Sequence, residues 1–103
     1  MYKLVFLPVA LNDINNITFY ISNILKNKTA ASKLATDFIS TADRIVQFPY
    51  SCSVYNTIGK LEKEYRYAIV NNFLMFYVID EDNKTIIITR VAYNKMNIKN
   101  IIN

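Results

Sequence analysis

The sequence predicts a two-layer α+β sandwich of order β-α-α-β-β-β, with a helical hairpin packed on one face of a mainly antiparallel four-stranded sheet. Two stripes of apolar residues, recurring three and four positions apart, fill the first half of the chain. Three runs of strand-forming residues, divided by short polar breaks, fill most of the second half. One Gly and two Pro among 103 residues leave few positions for tight turns, so regular elements should hold most of the chain.

Tyr2 to Leu7 is a short apolar run and reads as the first strand. Pro8 stops it and suits the first turn of the helix that follows, where a missing N–H costs nothing. Ala10, Ile14, Ile17, Ile21 and Ile24 form the stripe of that helix, and Asp13 lies near its positive end. Asn27 and Lys28 break it. Thr29 is the expected N-cap of a second helix, whose stripe is Ala31, Leu34, Ala35, Phe38, Ala42, Ile45 and Val46. Pro49 ends this helix, because a proline biases the residue before it, here Phe48, out of the helical region. Two adjacent amphipathic helices joined by a few residues should pack as an antiparallel hairpin. Pro49 to Glu62 holds the only Gly and the only Cys and reads as a connecting loop. Strands are then expected at Glu64 to Val70, Phe73 to Ile79 and Lys84 to Tyr93. Asn71 and Asn72 make a two-residue turn, since Asn tolerates positive φ, and Asp80 to Asn83 a longer one. The tail from Asn94 to Asn103, with Met96, Ile98, Ile101 and Ile102, reads as a half-ordered helical turn.

Hydrophobic residues make up 52% of the chain and charged ones 19%, which excludes a disordered polymer and suits one ordinary core. Residues 1–103 therefore read as a single domain. The absence of His excludes a Ser-His or Cys-His nucleophile pair, an imidazole base and an ordinary zinc site. One Cys excludes an internal disulfide and fits a reducing, cytoplasmic setting. Cys52 has no histidine to activate it and reads as a spare loop residue. No cofactor and no metal is expected. The longest wholly apolar run, Phe73 to Ile79, falls well short of a membrane span, so no membrane association is expected. The N-terminal run is not a signal peptide on this reading: Pro8 interrupts it, and Asn12 and Asp13 stand where a small-residue cleavage site is wanted.

The net charge of +4 is unevenly placed. Between Asn83 and Asn103 the chain carries Lys84, Arg90, Lys95 and Lys99 and no acidic side chain, directly after the acidic block Asp80, Glu81 and Asp82. A basic run beginning inside an apolar strand is either a nucleic-acid footprint or ordinary solvated charge, and charge alone favours the second.

Both faces of the last strands are apolar. Phe73, Met75, Tyr77 and Ile79 lie on one side, Leu74, Phe76 and Val78 on the other, and Ile86 and Ile88 alternate with Ile87 and Val91. Two helices cover only one face, and a face left in water should be polar. Something must cover the other: a partner chain, the C-terminal tail or a second copy.

Pro8 followed by Ala10-Leu11-Asn12-Asp13-Ile14, then Ile17, Tyr20 and Ile21, resembles the opening pattern of the RelE/ParE superfamily, the toxins of bacterial type II toxin–antitoxin systems. Phe48-Pro49, Tyr65-Arg66, the run Asn72 to Glu81, and Ile88 to Asn97 follow in the family's order and spacing over nearly the whole chain. The resemblance implies a cytosolic bacterial protein that arrests growth and is neutralised by a cognate antitoxin in a toxin–antitoxin hetero-oligomer. It also implies one of two targets. The RelE branch is a ribosome-dependent mRNA endoribonuclease that needs no metal; the ParE branch poisons DNA gyrase.

The ribonuclease branch places an Arg in the middle strand of the hairpin set, where this chain has Leu74, and its frequent terminal-strand His is replaced by Ala92 and Tyr93. The chain is accordingly closer to the ParE branch. As a ribonuclease it would have to use Arg66, Arg90, Tyr93 and Lys95 as its catalytic set, with cations for the phosphorane-like transition state and a tyrosine that stacks or donates a proton. For Arg66 and Arg90 the other role is structural or antitoxin-facing, and for Tyr93 packing at the sheet edge. A non-toxic binding module on the same fold is the third reading.

Overall fold

The computed structural model describes residues 1–55 and 64–94. Its elements are β1 (Lys3–Phe6), α1 (Pro8–Phe19), a π-helical turn (Tyr20–Ile24), α2 (Lys28–Gln47), β2 (Ser53–Val54), β3 (Arg66–Val70), β4 (Phe73–Asp80) and β5 (Thr85–Tyr93). The α+β sandwich is as the sequence predicts, with one strand more. The sheet runs β1-β5-β4-β3-β2, with β1 parallel to β5 and every other pair antiparallel.

Four features differ from expectation. Ser53 and Val54, inside the stretch read as a loop, pair with Tyr67 and Arg66 and add a fifth strand. Two residues have no period to detect; the free edge of β3 makes them a strand. Asn27, not Thr29, caps α2, its side chain accepting the Ala30 N–H at 3.0 Å. Both residue types can cap, and the helix starts two residues earlier. Ile24, expected in the inward stripe of α1, is exposed, because the π-helical turn adds a residue per turn and rotates the end of the helix away from the sheet. The strand edges also tighten, β3 starting at Arg66 and β5 at Thr85. The tail expectation, apart from Asn94, lies outside the described residues.

The main core lies between the helices and the sheet. Ala10, Leu34, Phe38, Ala42 and Ile45 from the helices meet Met75, Tyr77, Ile86, Ile88 and Val91 from the sheet. The predicted stripes supply these contacts, as the 3.6-residue period requires. Tyr77 is fully buried and donates its hydroxyl to the Pro49 carbonyl at 2.7 Å, tying the end of α2 to the middle of β4. Burial, above all, pushes its pKa far above the ordinary tyrosine range.

The opposite face of β4 is covered by the chain itself. Leu74, Phe76 and Ala92 are buried with half-buried Tyr55, Tyr65 and Tyr67 packed on them. Tyr55 meets Phe76 edge-on at 5.3 Å between ring centroids and Tyr67 at 5.9 Å. Cover by a partner, by the tail or by a second copy is therefore not required at this spot.

The turn at Asn71-Asn72 is as expected, with Asn71 at a φ of 54°. Lys26, between the π-helical turn and α2, holds a φ of 57°. A left-handed conformation costs a non-glycine residue about 1–2 kcal/mol. Replacing Lys26 by Gly should therefore raise the midpoint of urea unfolding, since relief of this strain exceeds the extra chain entropy. Tyr77→Phe should lower stability by about 1–2 kcal/mol, read from the same transition, because the Pro49 carbonyl loses its donor in a buried site.

Candidate functional site

β1 pairs with β5 only from Lys3 opposite Thr85 to Phe6 opposite Ile88, and the last bond of this edge runs from Leu7 N–H to the Ile88 carbonyl at 2.9 Å. The chain then turns at Pro8 into α1, so the C-terminal half of β5 has no strand on that side. Asp13, on the second turn of α1, takes the place of the missing strand. Its Oδ2 accepts the backbone N–H of Val91 at 3.0 Å. The same carboxylate grips the Arg90 guanidinium in two bonds, Nε to Oδ2 at 2.8 Å and Nη2 to Oδ1 at 3.0 Å. The Asp13 side chain is 13% exposed and that of Arg90 29%. A two-bond, partly buried arginine–carboxylate pair of this geometry is strong and directional. The carboxylate raises the pKa of Arg90 further still.

A bulge sets this geometry. Phe76 opposes Arg90 but Tyr77 opposes Ile88, so Thr89 is an extra residue in β5. The Thr89 hydroxyl reaches the Phe76 carbonyl at 3.3 Å. Past the bulge, Val91 and Tyr93 pair with Met75 and Phe73, on the helix side of the sheet. Tyr93 is 40% exposed and meets the Phe73 ring edge-on at 5.8 Å. Arg90, Tyr93 and Asp13 together line a cleft of about 190 Å³ between α1 and β5.

Arg66 lies elsewhere. Its Nη1 donates to the Cys52 carbonyl at 2.7 Å, its Nη2 approaches Glu64 at 3.4 Å, and its guanidinium stands over the Tyr50 ring at 5.0 Å. Its Nε is buried without a partner among the described residues. It lines a separate cleft of about 430 Å³ with Tyr50, Glu64 and Asp80. Of the four residues expected to act together, the structure thus joins Arg90 and Tyr93 and sets Arg66 apart; Lys95 lies outside the described residues. Leu74 is buried in the tyrosine-covered cluster. Among the described residues, no group of His, Cys, Asp and Glu could hold a metal ion, and no helix is long and apolar enough to cross a membrane.

Asp13 stands out in the sequence only for its place near a helix start; its pairing with a residue 77 positions away has no local signal. In the sequence Glu81 is only one of the acidic block Asp80 to Asp82, with no signal of its partners. Its Oε2 accepts the hydroxyls of Tyr2, at 2.7 Å, and of Tyr50, while Oε1 accepts Lys84 Nζ at 2.7 Å. This clasp joins the N-terminus, the end of α2 and the β4–β5 turn. Its three donors, Lys84 first, hold the Glu81 carboxyl down at about 2, and the bond to Glu81 pushes the Tyr50 hydroxyl up to about 12.

A helical hairpin on a sheet of this order defines a class of fold found in toxin–antitoxin complexes. A chain from the chromosomal ParDE system of P. aeruginosa superposes with a TM-score of 0.73 at 17% identity, covering 90% of this chain and 96% of that one. A chain of the archaeal RelE–RelB complex from Pyrococcus horikoshii OT3 gives 0.61 at 12% identity, covering 91% and 96%. One from the RelBE2 complex of Mycobacterium tuberculosis gives 0.60 at 16%, covering 89% and 96%. Comparison with curated proteins finds no match by sequence. The family model of the ParE toxin of type II toxin–antitoxin systems, parDE, matches residues 4–98. The chain belongs to the ParE toxin family.

Asp13→Ala should destabilise the fold by about 3 kcal/mol in urea unfolding, because it removes the carboxylate that two nitrogens of a partly buried guanidinium and the Val91 N–H bond. Glu81 titrates below its ordinary 4.5 when folded, so its clasp supports the fold above that pH and the support is lost as pH falls towards 2. Acid unfolding of Glu81→Gln should lack this component, with a shallower loss of stability over that interval.

Proposed function

We propose that this chain is the toxin of a type II toxin–antitoxin system, that it arrests bacterial growth by poisoning DNA gyrase, and that a cognate antitoxin neutralises it. Membership of the ParE family supports the toxin reading. One observation carries the choice of target: Leu74, at the position where the ribonuclease branch has its arginine, is buried in an apolar cluster with Phe76 and Ala92. Cleaving RNA without a metal needs a cation aimed at the phosphate as charge develops on it. A leucine under three tyrosines supplies none. Arg90 is engaged by Asp13, and Arg66 by the Cys52 carbonyl and Glu64, so neither guanidinium stands in for it. We assign Arg90 to holding α1 on β5. Tyr93, half exposed at the end of β5, is the candidate surface contact.

Expression of the chain alone in bacteria tests the target, with growth, mRNA 5′ ends and gyrase-linked DNA breaks scored together. Arrest with DNA breaks and intact mRNA is the expected outcome. New mRNA 5′ ends without breaks would overturn the gyrase reading and transfer the function to a ribonuclease. Healthy growth at confirmed soluble expression would leave a binding module.

A further inference from the structure

From Leu4 to Asn12 the chain carries no charged side chain, and this stretch begins as the terminal strand of the sheet. Among the described residues nothing pairs with the outer edge of β1. Lys3 and Leu7 give their N–H groups to the Lys84 and Ile88 carbonyls on the β5 side, at 2.8 and 2.9 Å. Alternate residues of a strand face opposite edges, so Leu4 and Phe6 turn their N–H and C=O groups outward. Their side chains pack on the main core, which leaves Val5, 44% exposed, and Leu7 on the other face of the sheet. Val9 and Leu11, at the start of α1, are exposed as well.

Monomeric proteins protect such an edge with inward-pointing charge, proline within the strand or a bulge that twists it away. Here Lys3 stands at one end and Pro8 beyond the other. Between them Leu4, Val5, Phe6 and Leu7 are uncharged, and the register with β5 runs unbroken from Lys3 to Phe6. The edge is open, apolar and regular, which suits it to strand addition.

We propose that β1 pairs with β1 of a second copy of this chain, antiparallel about a twofold axis at Val5, joining the two sheets edge to edge. The pairing does not rest on the toxin reading above. In this register Leu4 of each copy exchanges both N–H···O bonds with Phe6 of the other. Val5 meets Val5 in a non-hydrogen-bonded pair, and Lys3 faces Leu7. Mutual cover of Val5 and Leu7 adds the apolar contact that backbone bonds alone do not supply. The charges select this occupant. Lys3 is the one charged side chain from Met1 to Asn12, and it falls opposite a leucine. The two Lys3 residues stand four positions apart along the strands, about 14 Å, beyond the screening length of about 8 Å at physiological salt. A foreign strand finds no charge pattern here to fix its direction or register, whereas the twofold axis fixes both.

The test is sedimentation of the full chain alone over a concentration series at two salt concentrations, where a reversible dimer is expected. Val5→Lys sets like charges together at the axis and should raise the dimer dissociation constant by about 30-fold or more. Leu7→Glu puts a carboxylate opposite Lys3 and should leave the dimer as tight or tighter, with a new salt dependence, while Leu7→Lys should weaken it. Ile39→Glu and Ile69→Glu, on exposed residues away from β1, should dimerise within about twofold of wild type. In a Cys52→Ser background, Val5→Cys should give a disulfide-linked dimer on oxidation, because a non-hydrogen-bonded pair brings its Cα atoms to about 4.5 Å; Lys3→Cys should not. Equal melting temperatures at dilutions where the wild type is monomeric exclude misfolding. A wild type that stays monomeric to about 100 μM would overturn the proposal. So would a dimer that Val5→Lys leaves intact, or one that Leu7→Glu and Leu7→Lys weaken alike. A monomer whose binding to the cognate antitoxin is weakened by Val5→Lys would overturn it too, giving the edge to the antitoxin.

Discussion

The structure depends on one carboxylate. β1 leaves β5 after Ile88, and the remaining half of β5 would present unpaired backbone groups at the sheet edge. Asp13 answers both problems that this creates, taking the Val91 N–H as a neighbouring strand would and holding α1 down through Arg90. Helix α1 is thereby fixed along the bulged end of β5. The π-helical turn follows that helix, and Tyr20 and Ile21 of it line a trough with Phe73 and Tyr93.

The same tie changes the meaning of the basic residues. Arginines on the last strands of a basic domain invite a nucleic-acid reading. Here Arg90 bonds a carboxylate through two nitrogens, and Arg66 lies in another cleft against Tyr50 and the Cys52 carbonyl. Cations held in this way are already neutralised or committed to backbone.

Much of the fold was legible because the signals were local. The helix stripes, the Asn71-Asn72 turn and the long apolar strands each announce themselves within about ten residues. What escaped was set by tertiary structure. Ser53 and Val54 become a strand only because β3 offers them an edge. Ile24 fits the helical stripe until the π-helical turn rotates it outward. The apolar outer face of β4 suggests a missing partner, but Tyr67 on β3 and Tyr65 just before it, two residues apart, are the clue that the chain covers that face itself. The Asp13–Arg90 pair joins residues at opposite ends of the chain, which no local pattern reveals.

Arg90 is where structure and function are most directly separable. The double variant Asp13→Asn with Arg90→Gln removes both charges but keeps a side-chain oxygen for the Val91 N–H and a donor at position 90. Growth arrest, scored at matched levels of folded protein, distinguishes the two roles. If Arg90 serves to hold α1 on β5, the variant is less stable yet arrests growth like the wild type with mRNA intact. A folded variant that no longer arrests growth would show that the guanidinium itself acts on the target, and would contradict the account.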